Sequence, residues 1–295
     1  MPTTKTIYLV DDDDDDRMLF REAIESVIDD IRIIEVTDGK ELLDMIKKKE
    51  LSRFPMLILM DMNMPRVSGL EAIAVLKADP YCQDIPVVMI STTSNPELVR
   101  QAYEAGINAY MTKPVLIEDY IQMAEAINVC FLNQYPAFKG LAISKTYKAT
   151  SILFVEDNAD HWGLMDVALK ESMPNVKISG TTNRQSTLEF LASGWKAREP
   201  FPQLILLDLY LPTREEGLNL LDDIKGFFSS NNLSTVPIIV LSNSDHQDDI
   251  KASYQHKANA YMIKSTELDK WFPYFQDLCH FWWRTIVLPK SKFQS

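Results

Sequence analysis

Residues 57–65 read LILMDMNMP: four apolar residues, then Asp61, then a proline four positions on. An apolar run of this length, closed by turn chemistry, predicts a short strand buried on both faces. The carboxylate then stands at the strand's carboxyl end. Residues 204–212 repeat the pattern as LILLDLYLP, with Asp208 in the place of Asp61. An apolar strand used twice to present one aspartate at its tip marks both aspartates as candidates for chemistry.

Working outward, residues 7–10 predict a strand that stops at six aspartates, residues 11–16. Met18, Leu19, Ala23, Ile24, Val27 and Ile28 follow at helical spacing. Residues 31–36 are β-rich, residues 37–39 read as a turn, and Leu42, Leu43, Met45 and Ile46 predict a helix whose basic end, residues 47–49, suits a helix C-terminus. Beyond Pro65 come a helix through Leu70, Ile73, Val75 and Leu76, and a strand at 87–90. A helix opened by Pro96 and closed by Gly106, a strand at 109–111 and a helix over 117–132 complete the copy. Five βα units predict a flavodoxin-like α/β domain: a doubly wound parallel sheet of order 2-1-3-4-5 with helices on both faces.

Residues 136–149 read as a linker, after which the pattern restarts. Strands are predicted at 152–155, 204–207 and 238–241, with helices around 165–169 and 218–228. The tetrapeptide NAYM occurs at 108–111 and again at 259–262. The offset between copies is 145 from Asp12 to Asp157, 147 from Asp61 to Asp208, and 151 from Ser91 to Ser242 and from Lys113 to Lys264. An offset that drifts only within loops marks a tandem duplication. We therefore expect two (βα)5 domains, residues 1–135 and 150–295.

The bulk composition narrows the function. The net charge of −12 is concentrated in residues 1–140, which hold 14 basic and 24 acidic side chains. An acidic chain without a basic run makes a poor nucleic-acid binder, because phosphate neutralisation supplies most non-specific affinity. Cys82, Cys130 and Cys279 are few and scattered, which argues against a disulfide framework or a zinc site. The N-terminus lacks a signal-peptide core, and no apolar run reaches the roughly 18 residues of a membrane span. The expected location is the cytoplasm, without nucleic-acid or membrane partners.

In each copy, polar residues cap the carboxyl ends of strands one, three, four and five: Asp11, Asp12, Asp61, Ser91 and Lys113, then Glu156, Asp157, Asp208, Ser242 and Lys264. Those ends converge on the crevice where open α/β sheets bind ligands. Three carboxylates crowded together stay ionised only around a cation, and hard oxygen ligands suggest Mg2+. A lysine and a hydroxyl beside them suit an anionic guest. These are the parts needed to transfer a phosphoryl group onto a carboxylate. Asp13–Asp16 are expected to be a solvated helix start, where acids complement the dipole.

Both halves resemble receiver domains of two-component response regulators, with Asp61 to Ser91 spaced by 30 and serine to lysine by 22 in both copies. The extended approach to the third strand and the FWW…VLP ending are similar to stand-alone receivers of the cyanobacterial phytochrome type. The resemblance implies that Asp61 and Asp208 accept the phosphoryl group. It implies Mg2+ held by Asp11, Asp12 and Asp61, or Glu156, Asp157 and Asp208, with the backbone carbonyls of Asn63 and Tyr210. Ser91 and Ser242 would hydrogen-bond the phosphoryl group, and Lys113 and Lys264 would pair with it. Tyr110 and Tyr261 fall at the family's switch aromatic, although each also reads as an ordinary half-buried strand residue. Phosphorylation is expected to draw Tyr110 inward. The implied donor is a histidine kinase or histidine phosphotransfer protein. Output would come through an unnamed downstream protein, with homodimerisation left open and no enzymatic turnover.

The second copy departs from the pattern. Lys113 is followed by Pro114, in a peptide bond often cis in this family, whereas Lys264 is followed by Ser265. Gly106 becomes Lys257, and Tyr210 and Asn243 bring bulk beside Asp208 that is expected to slow its chemistry. One rival reading is a scaffold whose second receiver only binds partners. Another is a Mg2+-dependent aspartyl phosphatase, which is disfavoured because Asn63 and Tyr210 stand where such an enzyme needs a second aspartate.

Overall fold

The computed structural model describes residues 5–49, 57–132, 150–197, 201–264, 278, 281–282 and 286–288. The chain separates into two units, Met1–Pro136 with Arg284–Val287, and Ala137–Trp283 with Leu288–Ser295. The expected linker lies outside the described residues.

In the first unit the strands are β1 (Lys5–Val10), β2 (Ile31–Val36), β3 (Leu57–Asp61), β4 (Val87–Ser91) and β5 (Ala109–Thr112). They form one parallel sheet in the order β2-β1-β3-β4-β5. Helices α1 (Asp14–Val27), α2 (Gly39–Lys47), α3 (Gly69–Ala78), α4 (Pro96–Ala105) and α5 (Ile117–Ile127) alternate with the strands, and α5 runs on into a π-helical turn, Asn128–Leu132. In the second unit β6 (Thr150–Val155), β7 (Val176–Thr181), β8 (Leu204–Asp208), β9 (Ile238–Ser242) and β10 (Ala260–Ile263) give the order β10-β9-β8-β6-β7. Its described helices are α6 (Ala159–Ser172), α7 (Arg184–Ala197), α8 (Arg214–Ser230) and α9 (Gln247–Gln255). Both units are thus flavodoxin-like, as expected.

Local chemistry accounts for the elements. Every residue of β3, β4, β8 and β9 is buried, which is why their sequences read as unbroken apolar runs. Ser68 and Glu71 close a capping box at α3. Asn95 caps α4, with Pro96 in its first turn. The α4 helix ends on Gly106 at φ 102°, and Lys257 takes the same left-handed place in the second unit at φ 64°. The repeated asparagines are pins. The side chain of Asn108 accepts from the Val87 amide at 2.9 Å, and that of Asn259 accepts from the Ile238 amide at 3.0 Å, tying adjacent strands at the end remote from the site.

The structure adds to the sequence reading and departs from it in places. On α1, Ala23 and Ile24 are buried as the spacing implies, as is Ile28 at its end, but Arg17 and Phe20 join them while Met18 is 41% exposed. Arg17 is drawn inside because its guanidinium donates to the Asp11 carbonyl at 2.5 Å and pairs with Glu35 at 3.3 Å. β7 and α7 had no segment assigned, because β7 is an edge strand with an alternating, mostly half-buried pattern rather than an apolar run. The cis peptide among the described residues is Leu211–Pro212 rather than Lys113–Pro114. Ile286 bridges antiparallel to Met111, and the Val287 amide donates to the Tyr110 carbonyl at 2.8 Å. The otherwise open edge of β5 supplies those unpaired groups. Phe281 and Trp282 are fully buried in edge-to-face contact at 5.3 Å, as core residues; Trp271 and Trp283 lie outside the described residues.

Candidate phosphoryl-acceptor sites

Parallel register brings the predicted residues to one end of each sheet. Asp61 is aligned with Ile90, and Ser91 with Thr112. Asp208 is aligned with Leu241, and Ser242 with Ile263. Backbone bonds continue the ladder past the strand tips: Asp11 N–H donates to Val36 O, Met62 to Ile90, Lys113 to Ser91, and likewise Glu156 to Thr181, Leu209 to Leu241, and Lys264 to Ser242. Behind each acceptor a helix presses close. A Cβ on Gly69 would lie 2.5 Å from the Asp61 carbonyl oxygen, and one on Gly217 would lie 2.0 Å from that of Leu209. Gly69 opens α3 and Gly217 is the fourth residue of α8, and the close approach leaves no room for a side chain at either position.

In the first site the ammonium of Lys113 lies 2.9 Å from Asp61, 2.9 Å from Asp11 and 2.7 Å from Asp16. Burial alone would discharge the lysine, but bonds to Asp16, Asp11 and Asp61 outweigh it and hold the group charged, well above its ordinary range. Asp11 is pushed up by burial, with Lys113 opposing and the Asp61 charge adding. Asp12 is exposed at the rim, as is Asn63, whose amide N–H donates to the Asp61 carboxylate at 2.6 Å and whose side chain donates to Ser91 Oγ at 3.3 Å. Asp16 was read as a solvated helix residue. Here it reaches the lysine because it lies in the first turn of α1 on the side facing β5, while Asp13 takes the capping role.

The second site repeats the core geometry. Lys264 lies 2.7 Å from Glu156 and 2.9 Å from Asp208. Burial raises the Asp208 carboxyl above its usual range, Lys264 opposes, and the Glu156 charge adds. One ligand oxygen from each of Glu156, Asp157 and Asp208 lies within 4.8 Å of the others. Acidic oxygens at that separation fit a hard divalent cation; Asp11, Asp12 and Asp61 carry the same donor types but do not converge into such a group among the described residues. Serine 242 is fully buried, and its hydroxyl accepts from the Ser244 amide at 3.1 Å.

Both switch-position tyrosines are already inside. Tyr110 is fully buried, with its hydroxyl donating to the Thr93 carbonyl at 2.9 Å, and Tyr261 is fully buried, donating to Ser244 at 2.8 Å. The backbone carbonyl two residues beyond each serine gives the buried hydroxyl its hydrogen-bond partner. Tyr210 takes the place of Asn63, but its hydroxyl reaches away to the Asp249 carboxylate at 3.0 Å. Asp249, 5% exposed, also accepts from Arg214 at 2.5 Å and Ser244 at 2.5 Å. Sequence spacing gave no hint of this cluster, because Leu98 occupies the matching place in the first copy.

A doubly wound fold carrying this aspartate–lysine–serine site at its strand tips has the architecture of a receiver domain. The family model for the response regulator receiver domain matches residues 7–125 and again 152–273. The chain belongs to the response regulator receiver family, with two copies of the domain in tandem. It is 34% identical over 141 residues to the response regulator Rcp1 of Synechocystis sp., a match spanning 48% of this chain and 93% of that protein. Among solved structures, the Mn(2+)-bound form of Rcp1 is 33% identical over 42% of this chain and 91% of its own, with a TM-score of 0.39. The phosphorylated cyanobacterial phytochrome response regulator RcpA is 30% identical over 46% of this chain and all of its own, with a TM-score of 0.42.

Proposed function

We propose that the chain is a two-component signalling protein that accepts phosphoryl groups on Asp61 and Asp208. The observation that supports this most is the recurrence, in both units, of a buried aspartate 2.9 Å from a lysine ammonium with a buried serine on the adjoining strand tip. A carboxylate oxygen attacks phosphorus in line, the bond from phosphorus to the donor imidazole nitrogen breaks, and the imidazole leaves. The lysine and serine meet the phosphoryl oxygens in the geometry that stabilises transferring charge. Glu156, Asp157 and Asp208, and in the first unit Asp11, Asp12 and Asp61, are the residues that would hold Mg2+, which would supply charge neutralisation for the transferred group.

The donor is a histidine kinase or histidine phosphotransfer protein. Val115, Leu116 and Ile117, at 92%, 59% and 47% exposure beside Lys113, offer an apolar rim on which such a partner can seat. The chain is not a turnover enzyme; its output is a surface that a second protein reads, in the cytoplasm. A second reading, in which the second unit serves as a binding module, draws support from the Asp249 cluster that ties the loop after Asp208 to α9.

Intact-mass analysis after incubation with acetyl phosphate tests the proposal. We expect two added phosphoryl groups in the presence of Mg2+, one in Asp61→Asn or Asp208→Asn, and none in the double variant or in EDTA. Retention of both groups in the double variant would sink the assignment.

A further inference from the structure

Lys113 is engaged by more carboxylates than its role requires. Its ammonium has three N–H donors, and three acids already surround it: Asp11, Asp61 and Asp16. The first two belong to the acceptor site. The third comes from α1, and its other carboxylate oxygen accepts from the Tyr120 hydroxyl at 3.3 Å. Tyr120 stands on α5, is 3% exposed, and packs edge-to-face on Phe20 of α1 with ring centroids 4.8 Å apart. A continuous line of contacts therefore runs from Asp61 through Lys113 and Asp16 to α5.

We propose that Asp16 is a positioning residue that reports the state of Asp61 to α5 through Tyr120, a deepening that rests on the acceptor reading above. A phosphoryl group on Asp61 brings new anionic oxygens to a lysine whose donors are already in use, so one carboxylate must give way. Asp16 is the one that yields. Its side chain is 25% exposed, against 3% for Asp11 and 4% for Asp61, so release into water costs it the least. When Lys113 turns to the phosphoryl group, Asp16 loses its cation, and the Tyr120 hydroxyl loses the fixed acceptor that holds its edge of α5. This route is separate from the Ser91–Tyr110 pair on the β4–β5 side. It is also confined to the first unit: His161 occupies the matching place in α6, 3.5 Å from Glu156, and Lys264 is held by Glu156 and Asp208.

The test uses the full chain carrying Asp208→Ala, so that Asp61 is the responding acceptor, with 3-fluorotyrosine incorporated and the Tyr120 resonance assigned by Tyr120→Phe. Beryllofluoride with Mg2+ serves as the phosphoryl mimic. In the parent chain, we expect the fluorine resonances of Tyr110 and Tyr120 both to change on adduct formation. With Asp16→Asn added, the adduct is expected to form about 2- to 5-fold more tightly, since Lys113 no longer leaves a partly exposed ion pair. The Tyr110 response should persist while the Tyr120 response is lost. Folding of the variant is read from a Tyr110 resonance that matches the parent's before beryllofluoride is added. Adduct formation with a Tyr120 response equal to that of the parent overturns the relay alone. Failure of the parent chain to form an adduct overturns the acceptor reading and the relay with it.

Discussion

At the scale of single residues, the two lysines hold matching places in different surroundings. The Lys264 side chain is 1% exposed between Glu156 at 0% and Asp208 at 10%, whereas Lys113 is 11% exposed among its acids. Removing a cation from a fully buried pair leaves anions without compensation, which typically costs about 3–5 kcal/mol. Lys264→Met should therefore lower the urea midpoint of the second unit markedly, by an amount near that range, and the added change Glu156→Gln should restore most of it. A double variant no more stable than Lys264→Met would contradict this. The residues that carry this chemistry were legible because an apolar run fixes where a strand ends, and hence what stands at its tip. Asp16 was not, since it sits among six consecutive aspartates whose individual partners depend on tertiary placement of α1 against the lysine.

At the scale of elements, the second unit differs from the first in how the loop after the acceptor meets the following helix. Asp249 on α9 gathers Ser244, Tyr210 and Arg214, and Arg214 also donates to the Asp248 carbonyl at 3.0 Å. Burial works against the charged form of Asp249, but the hydrogen bonds from Ser244, Tyr210 and Arg214 outweigh it and hold the carboxyl below the usual range. A depressed folded value means that its contribution is fully present above the unfolded value of about 4, and fades as pH falls from there through the lower folded value. Charge-assisted bonds of this kind are worth about 2 kcal/mol. Asp249→Asn should thus destabilise the second unit by about that much at pH 7, and the gap between variant and parent should shrink in unfolding curves taken below about pH 4. A gap that persists unchanged at low pH would show that packing, not charge, supplies the stability. Elements with a continuous apolar signature, β3, β4, β8 and β9, were readable in the sequence. β7 was not: Gly180 lies there against Trp162, whose indole nitrogen is 2.4 Å from where a Cβ would stand, and that packing leaves no apolar run to read.

At the scale of the whole molecule, duplication has kept the chemistry and altered its setting. The core trio of aspartate, serine and lysine recurs with matching distances, so both sites should accept phosphoryl groups from the same small donor. What differs is freedom around the acceptor. In the first unit the exposed Asn63 side chain makes one weak bond to Ser91; in the second, Tyr210 and Arg214 anchor the same loop to α9 through Asp249. If reaching the transition state at Asp208 loosens half or more of a cluster worth about 2 kcal/mol, the rate there falls by roughly tenfold relative to an unclamped site. Time courses of intact mass with acetyl phosphate should show Asp208→Ala, which reports Asp61, labelling about tenfold faster than Asp61→Ala, which reports Asp208. Adding Asp249→Asn to Asp61→Ala should close much of that gap, because it removes the clamp while leaving Asp208, Lys264 and Ser242 in place. Equal rates in the two single variants would contradict the clamp as a kinetic barrier. A gap that survives Asp249→Asn would move its origin from the loop to the deeper burial of Lys264.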